Sequence, residues 1–114
     1  MLNKDFYLLL SLAETIGKII LFSSPYNTAE EFYENVRDFD AVMMNFIVIG
    51  ETVGKLSDDL KEENPAIDWN KIYGLRNILA HHYFGINADL IWQIIQNDIP
   101  KLSEELSKLI YKNK

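Results

Sequence analysis

Apolar residues recur every three or four positions along nearly all of this chain, and that spacing admits one fold class. Between Asp5 and Phe22, the series Phe6, Leu9, Leu10, Ala13, Ile16, Gly17, Ile20 and Leu21 lines one side of a helix. Ser11, Glu14 and Lys18 fall on the other side. A strand would need strict alternation of apolar and polar residues, and no segment supplies it.

The interruptions place the remaining helices. Ser23-Ser24-Pro25 stops the first. Asn27-Thr28, followed by Glu30 and Glu31, starts a short helix to about Val36, with Phe32, Tyr33 and Val36 inward. The longest helix is predicted from Asp40 to about Glu63, where Asn64-Pro65-Ala66-Ile67 breaks it. Asp68 caps a helix from Trp69 to about Phe84, with Trp69, Ile72, Tyr73, Leu75, Ile78 and Leu79 on its apolar side and Gly85 at its end. Asn87 caps the next, Ala88 to about Asn97, which packs Leu90, Ile91, Ile94 and Ile95. Ile99-Pro100 marks a kink or a new start. The last helix runs to about Tyr111 with Leu102, Leu106, Leu109 and Ile110 inward. Together these segments predict one all-α domain over residues 1–114, an antiparallel bundle of four to six helices.

The run from Ala41 to Gly50 is apolar on nearly all sides, more than a bundle this small can cover by itself. It predicts an oligomer interface. Met43 and Met44 are packing residues in this reading. Gly50 and Gly54, four apart, predict a close approach of two helices.

Charge and cysteine content narrow the function. Eleven Lys and Arg against 17 Asp and Glu leave a net charge of −6, which argues against holding nucleic acid by a broad basic surface. With no cysteine, disulfides and thiolate metal sites are excluded, and a reducing cytoplasm is the expected compartment. Met1 to Lys4 lead into an acid at Asp5, and the apolar run that follows is broken by Ser, Glu and Lys. That pattern predicts neither a signal peptide nor a membrane span. The acidic end Asp58, Asp59, Glu62 and Glu63, interrupted by Lys61, reads as a solvated face rather than a metal site.

One stretch concentrates reactive side chains. Leu75 to Phe84 holds one of the two arginines, Arg76, both histidines, His81 and His82, and Tyr83. On a helix, Arg76 and His81 lie about 140° apart and about 7.5 Å along the axis. Arg76, Ala80 and Tyr83 share one stripe, and Asn77 and His81 another. An arginine, an imidazole and a phenol can thus converge over small Ala80 on an object the size of a phosphodiester. Arginine offers a forked donor for phosphate oxygens, and histidine exchanges a proton near neutral pH. Those groups suffice, with no metal or cofactor, for RNA cleavage in which a ribose 2′-hydroxyl attacks its own phosphate. DNA lacks that hydroxyl and is not the expected substrate. By spacing alone, an ordinary helix-end ion pair or carbonyl cap is the better account of Arg76 and His81, because a bare Arg-x4-His match arises easily by chance.

The run Arg76-Asn77-Ile78-Leu79-Ala80-His81-His82-Tyr83 matches the RN-x3-H-x-Y signature of HepT-like (DUF86) proteins, a branch of the HEPN superfamily of helical ribonucleases. The likeness extends upstream to Asp40-Ala41-Val42, Asn45 and Ile49-Gly50-Glu51. Downstream it includes Leu90-Ile91-Trp92 and Asn97 to Leu102, so that the chain resembles the family over roughly its last three quarters. The resemblance implies a homodimer whose motif helices line one cleft. It makes His81 the catalytic acid or base, Arg76 the transition-state stabiliser, and Asn77 a residue that orients His81 or the phosphate. His-x-Tyr selects His81 and leaves His82 as a surface histidine. Tyr83 corresponds to the tyrosine that an MNT-type nucleotidyltransferase antitoxin modifies with AMP. Glu51 is first an ion-pair partner and second a supporting residue that orients Arg76 or a histidine. Asn87 departs from the Asp common in relatives, but it still caps a helix.

Two functions follow. One is the toxin of a HepT/MNT toxin–antitoxin pair, a cytoplasmic, metal-independent endoribonuclease acting on RNA and silenced at Tyr83. The other is a non-catalytic helical partner or modification target of a nucleotidyltransferase, favoured by the acidic balance.

Overall fold

The computed structural model describes residues 1–82 and 87–114, with the side chains of residues 78–82 outside the description. The described residues form helices and no strand, in six helical stretches. These are α1 (Asn3–Ser23), α2 (Ala29–Glu34), α3 (Val36–Lys55), α4 (Asp58–Glu63), α5 (Trp69–His82), and a last stretch made of α6 (Ala88–Gln93), a π-helical turn (Ile94–Asp98) and α7 (Ile99–Lys112).

Local chemistry sets these boundaries. Thr28 Oγ1 accepts from Glu31 N–H, and the Glu31 carboxylate reaches back to Asn27 N–H, a reciprocal box that opens α2. Asn35 Oδ1 accepts from Asp38 N–H and opens α3 four residues earlier than expected. Val36 is therefore the first residue of α3 and 66% exposed, not the inward end of α2, and Tyr33 is exposed as well. As expected, Asp68 Oδ1 caps α5 through Lys71 N–H, and Asn87 Oδ1 caps α6 through Leu90 N–H.

The predicted Asp40-to-Glu63 helix is two helices. Leu56 is extended, and Ser57 caps α4 by accepting from Leu60 N–H at 3.2 Å. What holds the break comes from far away in the chain. Asp5 of α1, almost fully buried, accepts from Ser57 N–H at 3.0 Å and from Ser57 Oγ at 2.6 Å. This bond also places the start of α1 against the end of α3, so the two helices run antiparallel.

α3 is the central helix, packed between α1 and α5, with α7 on the other side of α1. Its Val42, Phe46, Ile49 and Val53 meet Leu9, Leu12, Ile16 and Ile19 of α1 in the core. The buried face of α1 is rotated from the expected one, for Leu12 and Ile19 lie inside while Leu10, Gly17, Ile20 and Leu21 are exposed. α1 has apolar residues around more than half its circumference, so periodicity alone does not choose which of them turn inward. Its best window reaches a mean hydropathy of 1.6, enough in length and composition to cross a membrane, but here it buries its apolar face against α3 and α7.

As expected for Ile99-Pro100, a new helix starts here: α7 begins at Ile99 with Pro100 in its first turn, joined to α6 through the π-helical turn. Pro100 has no N–H to offer the carbonyl one turn back, and its ring crowds that carbonyl. The π-turn absorbs the problem, with Ile99 N–H bonding to Ile94 C=O five residues earlier. Ile91, Ile94, Ile95 and Ile99 are buried, whereas Leu90, expected inside, is exposed. Lys71 Nζ reaches Asp98 Oδ1 at 3.3 Å and ties the turn to α5. At the other end of the bundle, the Phe32 ring of α2 packs at a tilt against Phe39 of α3 and Trp92 near the end of α6, which ties α6 to α2 and α3.

Candidate active site

The site is built where α3 and α5 come closest. Gly50 and Gly54 expose a bare strip of α3 backbone, and α5 lies in it. A Cβ on Gly50 would stand 2.8 Å from Arg76 Cβ and 3.1 Å from the Tyr73 carbonyl oxygen. One turn further, a Cβ on Gly54 would meet the Tyr73 ring at 2.8 Å. Because Gly54 faces Tyr73 and Gly50 faces Arg76, α3 and α5 are antiparallel. The close approach expected from the two glycines is present, and its partner is the motif helix itself.

That approach delivers Glu51, the residue after Gly50, to the guanidinium of Arg76. Arg76 Nη1 donates to Glu51 Oε1 at 2.8 Å, with the two side chains 33% and 55% exposed. Arg76 Nη2 donates to the Tyr73 hydroxyl, and the guanidinium carbon sits 4.1 Å from the centroid of the Tyr73 ring. The hydrogen bond to Glu51 is the main reason the Arg76 pKa is raised above its ordinary value, with Tyr73 adding to it. Arg76 is thus a permanent cation with its side chain held on two sides.

The expected site residues divide by what the structure describes. Arg76 and Glu51 are brought together, in the ion pair expected first for Glu51. Asn77 is exposed on α5. The helix backbone continues without interruption from Arg76 through His81 and His82, which keeps the five-residue spacing on one helix. The side chains of Ala80, His81 and His82, and Tyr83 as a whole, lie outside the described residues. So do Phe84 and Gly85, where the end of α5 was expected. Among the described residues no cluster of three His, Cys, Asp or Glu side chains could hold a metal ion.

Tyr73 was read from sequence only as one apolar-face residue of α5. Its i, i+3 relation to Arg76 was the available signal, because residues three apart on a helix are neighbours. What the spacing could not reveal is that Gly54 makes room for the ring.

An all-α bundle with an arginine braced at the edge of its motif helix is the class these features define. A family model described as "Ribonuclease HepT-like" matches residues 12–109. The chain belongs to that family. A candidate RNase of Methanocaldococcus jannaschii is 36% identical over 100 residues, spanning 86% of this chain and 89% of that protein. A second from the same organism is 35% identical over 102 residues, spanning 90% and 84%. A protein of Thermococcus cleftensis named as a probable ribonuclease HepT is 31% identical over 80 residues, spanning 70% and 73%. No solved structure matches the chain at comparable significance.

Proposed function

We propose that this protein is a metal-independent endoribonuclease, the toxin half of a HepT/MNT-type pair, working as a cytoplasmic homodimer. The observation that carries the reading is the braced Arg76, in a chain of the HepT-like family, five residues before His81 on one unbroken helix.

In this reading the ribose 2′-hydroxyl attacks the adjacent phosphorus. Its proton passes to one imidazole, the O2′–P bond forms, and the P–O5′ bond breaks. The departing 5′-oxygen takes a proton from a second imidazole, which leaves a 2′,3′-cyclic phosphate and a 5′-hydroxyl end. One His81 from each protomer of the dimer supplies the two proton carriers, and Arg76 stabilises charge gathering on the phosphate oxygens. Asn77 helps orient the histidine or the phosphate. Adenylylation of Tyr83 by an MNT-type nucleotidyltransferase antitoxin would set a bulky anion beside Arg76 and His81, blocking substrate and neutralising the site.

The second reading, a non-catalytic partner or modification target of a nucleotidyltransferase, draws on the net charge of −6 and on the partial neutralisation of Arg76 by Glu51. Digestion of total RNA in EDTA separates the two. The nuclease reading expects cleavage by the unmodified protein, and a loss on the order of 10²–10⁴-fold in His81→Ala. Unmodified dimeric protein that cuts nothing favours the second reading.

A further inference from the structure

Arg76 is held by more than its ion pair, and the additional support is Tyr73. The Tyr73 ring lies between the bare backbone at Gly54 and the guanidinium, whose central carbon is 4.1 Å from the ring centroid, while its hydroxyl accepts from Nη2. Glu51 accepts from Nη1, and the base of the side chain rests on Gly50. The Glu51 carboxylate, the Tyr73 hydroxyl, the Tyr73 ring and the Gly50 backbone therefore converge on one arginine side chain. Arginine carries five N–H donors. Two are engaged by Glu51 and Tyr73, and among the described residues the other three meet no acceptor. A planar fork held in one orientation with donors to spare suits a phosphate that must be met as its charge develops, because preorganised donors need no rearrangement at the moment of reaction. The Glu51–Arg76 pair alone would not hold such a plane, since a half-exposed ion pair is weak and screened.

We propose that Tyr73 is the positioning residue of the site, whose hydroxyl and ring lock the Arg76 guanidinium in the orientation that receives the scissile phosphate. This rests on the nuclease reading for its catalytic consequence, but the lock itself can be measured without cleavage.

The test compares wild type, Tyr73→Phe, Arg76→Lys and the double variant. Tyr73→Phe keeps the ring against Gly54, so the fold is retained while the hydroxyl is lost. In single-turnover and steady-state cleavage of an oligoribonucleotide, Tyr73→Phe is expected to lower kcat by about tenfold, the scale of one hydrogen bond, with little change in KM. Lysine lacks the fork, so adding Tyr73→Phe to Arg76→Lys should cost nothing more. An unchanged kcat in Tyr73→Phe, or an equal loss in both backgrounds, overturns the proposal. The second readout is the arginine Nε–Hε NMR signals, of which the chain has two, with exposed Arg37 as internal control. Arg76 should be ordered and respond to added inorganic phosphate in wild type, and both properties should weaken in Tyr73→Phe. If wild type does not cleave yet shows this pattern, the nuclease reading fails and the lock stands. If Arg76 is as mobile as Arg37 in wild type, the lock fails whatever the cleavage result.

Discussion

Gly54 of α3 stands directly against the Tyr73 ring of α5, closely enough that a Cβ at Gly54 would lie 2.8 Å from Cε2. Gly50, one turn away, has the same relation to Arg76, but with stiffer neighbours, the Arg76 Cβ and the Tyr73 carbonyl oxygen. The difference matters because the ring edge can yield, at the expense of its contacts with Arg76, whereas a backbone carbonyl cannot. Gly50→Ala is expected to destabilise the protein by about 1–3 kcal/mol through overpacking, despite alanine's better helix propensity. Gly54→Ala should cost less. Gly17→Ala and Gly74→Ala, where a Cβ meets nothing within 4 Å, should stabilise by up to about 1 kcal/mol. Urea midpoints of the four variants check the ranking.

Asp5 and Ser57 hold the α3–α4 break. Replacing Asp5 with Ala leaves the Ser57 N–H without its acceptor at a partly buried site, a loss expected to cost about 1–3 kcal/mol. Asp5→Asn keeps one acceptor oxygen and should recover part of that. Chemical denaturation monitored by Trp fluorescence measures both.

The Tyr26 hydroxyl donates to Asp38 Oδ2, and that bond is the largest reason its pKa lies above the ordinary 10.0. A raised pKa in the folded state means the neutral phenol is favoured by folding. Its contribution is therefore complete below pH 10 and is lost as pH rises through the folded value. Wild type should lose thermal stability more steeply than Tyr26→Phe above pH 10, with Tm measured from pH 8 to 11 as the check.

Met44 (59% exposed) and Val48 lie on the same stripe of α3 as Glu51, beside Arg76. If this face closes the proposed homodimer, Met44→Lys should shift the protein to monomer in analytical ultracentrifugation and abolish cleavage. Tm at low protein concentration should stay within a few degrees of wild type, because an exposed residue contributes little to the monomer's core. A dimer that survives Met44→Lys places the interface elsewhere.

Arg76→Ala tests the cation itself. Removing it leaves the Glu51 carboxylate next to the motif, so RNA cleavage should fall by at least about 10²-fold, the usual cost of one stabilising donor. Glu51→Gln, which keeps an acceptor for Nη1, should fall far less. Parallel kcat and KM measurements decide between them.

Local information determined the helical content, most helix starts and the motif. Ser, Thr, Asn and Asp caps act on backbone groups only three residues away, so Thr28, Asp68 and Asn87 could be read in order along the chain. Apolar spacing likewise marked Leu102, Leu106, Leu109 and Ile110 of α7 as core, because that helix has a single narrow apolar face. Tertiary structure decided the rest. Which side of α1 is buried depended on a partner helix, since its apolar residues cover too much of the circumference to choose. The break at Leu56-Ser57 depended on Asp5, 52 residues from Ser57 in sequence. The bracing of Arg76 depended on Gly50 and Gly54, 26 and 22 residues upstream, whose missing side chains become a site only when α5 is laid against them.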